Sequence, residues 1–181
     1  MANRGVGMIN KNKIFPTIIT ILIIAIIVYL FVHLDQPTIS CKKVKADNLG
    51  IIVKENLETH LDNNKISNLK LVKTIILPYK YLREENSYLD YIEYVLKNSY
   101  DYLGKDKIEF EKYSDRIIIK IDVKDDETLI LNNIEFLDND QLNIKVNSNT
   151  KSSDVISFKV HDNYTQREFI TRMRNNGYTC Q

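Results

Sequence analysis

The sequence predicts an N-terminal transmembrane helix followed by an α+β domain, an antiparallel sheet of about five strands packed with two helices. Three observations predict it. An uncharged apolar run occupies residues 14–34, period-two alternation of apolar side chains recurs in several later segments, and two later segments carry the 3–4 spacing of amphipathic helices. With 181 residues, the chain is long enough for one domain and an anchor.

The apolar run reads IFPTIITILIIAIIVYLFVHL, from Ile14 to Leu34. At ~1.5 Å per residue it spans roughly 30 Å as a helix, the thickness of a bilayer hydrocarbon core. Pro16 falls in the first turn, where its missing N–H costs little. Tyr29 and His33 fall near the far end, where amphipathic rings suit the interface. A cleaved signal peptide has a shorter apolar region ending in small residues. A lipoprotein signal with Cys41 lipidated is a further alternative, but Asp35, Gln36 and Pro37 separate the run from the residues before Cys41. Residues 1–13 then form a cytoplasmic tail, 14–34 the span, 35–48 a tether and 49–181 the folded domain. Arg4, Lys11 and Lys13 precede the span, and Lys42, Lys43 and Lys45 follow it. Lys11 and Lys13 lie closer to it, which favours the N-terminus inside and the domain outside.

The chain has two cysteines, Cys41 and Cys180, at the two ends of the predicted domain. An even count at domain ends reads as a disulfide staple rather than two separate buried thiols. Such a bridge needs an oxidising compartment, in agreement with an external domain.

The domain opens with alternation over Gly50 to Leu61, where Ile51, Val53, Leu57 and Leu61 share one face. Turn residues Asp62 to Lys65 lead to a second strand, Ile66 to Tyr79, with Leu69, Leu71, Ile75 and Leu77 on one face. Ser87 to Leu103 follows as a helix capped by Asn86 or Ser87, burying Leu89, Ile92, Leu96, Ser99 and Leu103 and stopped by Gly104. Lys107 to Tyr113 and Arg116 to Val123 read as a hairpin. Asp125 to Leu137 reads as a short helix or an irregular packed segment. Residues 139–153 read as a polar loop that can enclose a strand over Leu142 to Val146. Val155 to Val160 alternates as a final strand. Thr165 and Glu168 have capping-box spacing before a helix over Gln166 to Asn175, closed by Asn176 and Gly177.

This order, with the segments NNKISNLKLVKTIILPY, YLDYIEYVLKNSYDYLG, IEFEKYSDRIIIKIDV and REFITRMRNNGYTC, resembles the YehR-like lipoproteins of Gram-positive bacteria, a domain family of unknown function. The resemblance implies an α+β domain in a bacterial envelope and brings no catalytic residues. Cys180 departs from it.

Twenty-five basic and 24 acidic residues give a net charge of +1, which argues against nucleic acid, whose phosphates demand a basic surface. Cys41, Cys180, His33, His60 and His161 have no metal-ligand spacing, and no cofactor motif is present. The acidic stretch from Asp122 to Glu127 lacks the pattern of a calcium loop. Seven of the 11 tyrosines lie between Tyr79 and Tyr102. Of these, Tyr88, Tyr91, Tyr94 and Tyr102 are the candidate ligand-binding residues, although tyrosine also packs with its hydroxyl wet. The expected function is a non-enzymatic, single-pass envelope protein that binds a protein or an envelope polymer. The alternatives are an assembly subunit of a membrane complex and an enzyme with an unrecognised site.

Overall fold

A computed structural model describes residues 19–29, 38–82, 87–138, 141–147 and 156–181. The chain divides into two units, Met1–Gln36 and Pro37–Gln181. In the first, residues 19–29 form a helix, α1, whose large apolar side chains are exposed. The rest of the expected span, and the whole expected cytoplasmic tail, lie outside the described residues. Among the described residues, no helix is long and apolar enough to cross a membrane.

The second unit is α+β, built on a six-stranded antiparallel sheet. Its strands are β1 (Thr38–Ala46), β2 (Ile52–Asp62), β3 (Lys65–Ile76), β4 (Ile108–Lys112), β5 (Arg116–Val123) and β10 (Thr179–Cys180). Their order across the sheet is β10-β1-β2-β3-β5-β4. Two two-stranded ladders complete the unit. One pairs β6 (Thr128–Leu131) with β9 (Ile156–Lys159), and the other pairs β7 (Asn133–Asp138) with β8 (Leu142–Asn147). The helices are α2 (Ser87–Ser99) and α3 (Gln166–Asn175).

One face of the sheet is buried, as alternation demands of a half-covered sheet. On it, Leu57, Leu71 and Ile121 are fully or almost fully buried and lie in one row across β2, β3 and β5. The β2–β3 hairpin contains a bulge. Leu61 pairs with Ile66 but His60 pairs with Asn68, so Ser67 is the extra residue. The bulge explains why Ile66 and Leu69, three apart, are both buried. Side chains fix it in place: Ser67 Oγ donates to the His60 carbonyl at 3.1 Å, and Thr59 Oγ1 to the Asn68 carbonyl at 2.7 Å.

The structure corrects several expectations. Residues 38–46, expected within a tether, form β1, an interior strand that pairs with β2 along its whole length. The folded unit therefore begins near Pro37 rather than at residue 49. The segment Asp125 to Leu137 is neither helical nor irregular. It supplies β6 and β7, and the buried parity switches between Leu131 and Ile134, which conceals the strand period. In α2 the buried stripe runs on from Leu96 to Tyr100 rather than to Ser99. Leu103 lies in a separate 3-10 turn.

The α3 helix forms as its sequence predicts. Thr165 Oγ1 accepts from the Glu168 amide, and Glu168 Oε2 accepts from the Thr165 amide, which makes the capping box. At the other end Gly177 adopts φ 83°, and the amides of Gly177 and Tyr178 donate to the Arg174 and Met173 carbonyls. This Schellman closure needs a left-handed residue, which glycine supplies without penalty. It turns Tyr178 inward and delivers Cys180 to the sheet edge.

There Cys41 and Cys180 are cross-strand partners joined by a disulfide, S–S 2.01 Å. The flanking residues Ser40 and Gln181 exchange both backbone hydrogen bonds, which places the cysteines in a non-hydrogen-bonded pair, where side chains approach closely.

Candidate functional site

Two charged residues interrupt the buried face of the sheet. Glu55 follows the parity of Ile51 and Leu57, and Lys73 that of Leu71 and Ile75. The bulge sets them directly opposite each other, whereas an unbulged hairpin would set Glu55 against Val72. Lys43 of β1 faces Glu55 from the other side. One row of the buried face thus reads Lys43, Glu55, Lys73, Ile119 across four strands.

Lys73 is buried, its side chain 1% exposed, and its Nζ lies 2.8 Å from Glu55 Oε1. It also donates to the Asn132 carbonyl at 3.0 Å and to the Tyr100 hydroxyl at 3.4 Å. Glu55 accepts a further hydrogen bond from the Tyr178 hydroxyl. A buried ion pair requires this degree of satisfaction, because desolvation otherwise exceeds the Coulombic gain.

The ionisation of these groups follows from their neighbours. Burial pushes the Glu55 carboxyl up, but the Lys73 charge, the bonds from Lys73 and Tyr178, and Lys43 outweigh it and hold the group below its ordinary value. Burial pushes Lys73 down, but the Tyr100 oxygen and Glu55 reverse the effect and raise it. Burial and the Glu55 charge push the Tyr178 phenol well above its ordinary range. Burial also lifts Tyr102, to about 12. Each shift locks its group in the form it already holds near neutrality. None is poised to exchange a proton there, as a general acid or base must be.

Beside this row lies a cleft of about 410 Å³. Lys43, Lys45, Val53 and Glu55 form its sheet wall, Leu131 to Ile134 and Ile156 its opposite wall, and Asn175, Asn176 and Tyr178 at the end of α3 its third side. Asn132 is the decisive residue. It is 2% exposed, yet neither its side-chain nitrogen nor its oxygen has a hydrogen-bond partner. Its backbone carbonyl is tied to Lys73, which fixes the junction between β6 and β7, while both polar atoms of the carboxamide are sealed from solvent without a partner. An unpaired buried amide costs about 1–3 kcal/mol.

The four tyrosines expected to bind ligand have different surroundings. Tyr88 packs edge-on against Tyr81, with ring centroids 5.7 Å apart. Tyr91 and Tyr94 project from α2, at 37% and 65% exposure. Tyr102 accepts from the Ile130 amide at 2.9 Å, bracing β6 against the end of the helical segment. Tyr94 lines a cavity between α2 and β4, separate from the cleft. Among the described residues, no cluster of three or more His, Cys, Asp or Glu side chains could hold a metal.

The sequence carried a signal for the cleft in Glu55 and Lys73, opposite charges at core parity on two strands of one hairpin.

The second unit is thus an α+β domain with a disulfide at its sheet edge and a polar cleft beside a buried ion pair. No protein-family model, curated protein or solved structure matches the chain.

Proposed function

We propose that the chain is a single-pass membrane-anchored binding protein whose folded unit lies outside the cytoplasm and takes a small polar ligand in the Asn132 cleft. The observation that carries the binding role is the cleft itself, in which Lys43, Lys45 and Glu55 share the lining with Leu131, Ile134 and Ile156. Ligand pockets pair apolar lining with a few placed polar groups, and this cleft has both at a suitable volume. The locked protonation of Glu55, Lys73 and Tyr178 favours binding over acid–base catalysis.

The anchor rests on the uncharged run Ile14 to Leu34. Its described part, α1, is apolar on every side, as a lipid-embedded helix is and a surface helix is not. The external location rests on the disulfide, which the cytoplasm would keep reduced, and on Lys11 and Lys13 beside the run. Cys41 is fully buried and bonded to Cys180, which favours an anchor over lipidation at that sulfur.

Labelling intact cells with a membrane-impermeant maleimide tests the topology. The expected outcome is no labelling before reduction, and labelling of Cys41 and Cys180 from outside once a reductant and mild denaturant are added. Thiols that react without reductant, and only after lysis, contradict it.

A further inference from the structure

We infer that the open edge of β4 takes an extended segment of a partner protein as an added strand, with basic side chains on the outer side of the sheet and apolar side chains toward α2. β4 ends the six-stranded sheet, and among the described residues no strand pairs with its far side. The Tyr113 amide donates to the Arg116 carbonyl at 2.9 Å, so in this register Glu109 and Glu111 bond to β5 and the alternate residues do not. The amides and carbonyls of Phe110 and Lys112 therefore point out of the sheet, and they meet no partner among the described residues.

Sheets blunt such edges with a bulge, a proline or a projecting lysine. β4 has no proline, and its register with β5 is unbroken. Its one lysine, Lys112, is drawn back onto α2 by Asp90, with Glu93 3.8 Å away. Beside the edge runs the cavity between β4 and α2, about 450 Å³ in volume. Ile108 and Phe110 form its strand wall and Tyr94 part of its helix wall, and Lys97 Nζ lies 5.3 Å from the Phe110 ring centroid. A strand laid on this edge sends every second side chain to the α2 side, where these three residues offer apolar surface.

Charge fixes the rest of the partner's pattern. Glu109 and Glu111 stand on the outer face of β4 and share one lysine, Lys120. The outer side of the edge thus carries more negative than positive charge, and a basic residue directly opposite balances it. A second copy of the chain is the wrong occupant. Antiparallel pairing through β4 would set the glutamates of one copy against those of the other, like charges side by side.

The test uses the full chain in micelles of an uncharged detergent, with the backbone amide signals of β4 assigned by NMR and their hydrogen exchange followed. In the free chain the Glu109 and Glu111 amides should exchange slowly and those of Phe110 and Lys112 fast. Two probes are titrated to about a millimolar, acetyl-KVKFKVK-amide and acetyl-EVEFEVE-amide. The basic peptide is expected to slow exchange at Phe110 and Lys112, and the acidic one to bind roughly tenfold more weakly. In the double variant Glu109→Lys, Glu111→Lys the preference should reverse, and in Glu109→Gln, Glu111→Gln it should shrink. If the basic peptide leaves the Phe110 and Lys112 amides exchanging as before, the edge takes no strand. If the two peptides protect them equally, the partner's charge pattern is wrong. Protection that appears without peptide and grows with protein concentration makes a second copy the occupant and overturns the assignment.

Discussion

Two neighbouring rows of the buried sheet face use the same strands to opposite ends. One runs Cys41, Leu57, Leu71, Ile121, and is apolar throughout and sealed at its edge by the bond to Cys180. The next runs Lys43, Glu55, Lys73, Ile119, and alternates charge across three strands. The first gains its stability from area removed from water, at about 25 cal/mol per Å². The second recovers little from burying charge and holds together through a closed set of partners. A fold that only needed a core would repeat the first row. The second persists here where the sheet borders a cleft, and Lys73 connects the two by holding the Asn132 backbone.

The largest effect should come from opening the sealed row. The bridge spans a sequence separation of 139 residues, and the chain-entropy model gives about 5 kcal/mol for a loop of that order. The double variant Cys41→Ser, Cys180→Ser should lower unfolding stability by nearly this amount in urea titrations at neutral pH. A change under ~1 kcal/mol would show that β10 is held by other means.

Breaking the polar row comes next. Lys73→Met leaves the Glu55 carboxylate buried without its main partner, and should cost about 3–5 kcal/mol. Adding Glu55→Gln should restore a large part of that loss, because the stranded charge disappears. If the double variant is as unstable as the single one, Lys73 serves packing rather than charge.

A smaller effect separates the rows by pH. Glu55 is held below its ordinary 4.5, so its contribution is present above that value and drains as pH falls through its folded value. Lys73 is held above its ordinary 10.5, so its contribution is intact below that value and is lost as pH rises through its folded value. The melting temperature should therefore be flat between about pH 5 and 10 and fall on either side. In the double variant Lys73→Met, Glu55→Gln, both flanks should become shallower.

How much of this was legible in the sequence divides along the same line. Strands β2, β3 and β5 and the helix α3 were readable because their apolar residues keep a strict period or a cap signature. The residues that were misread cluster at the cleft. Strand β1 was expected to be a tether because only Ile39 and Cys41 mark its buried face, and the following core-parity positions are Lys43 and Lys45, which line the cleft. Strands β6 and β7 were obscured where the period breaks at Asn132. Glu55 and Lys73 interrupt otherwise continuous faces. The tyrosines of α2 drew attention by their number, and Tyr88 and Tyr102 are engaged in contacts within the fold. A sequence departs from its own pattern where something other than packing selects the residue, and here those departures meet at one site.

The smallest expected change is also the most direct test. Asn132→Leu removes a buried amide that bonds to nothing and fills its place with an apolar side chain of similar size. Because the carboxamide has no partner within the fold, the urea midpoint of this variant should equal or exceed that of the wild-type chain, with an unchanged slope. A midpoint lowered as far as by Leu71→Ala, about 2–5 kcal/mol in stability for a buried leucine, would mean that Asn132 belongs to the fold and would contradict the account.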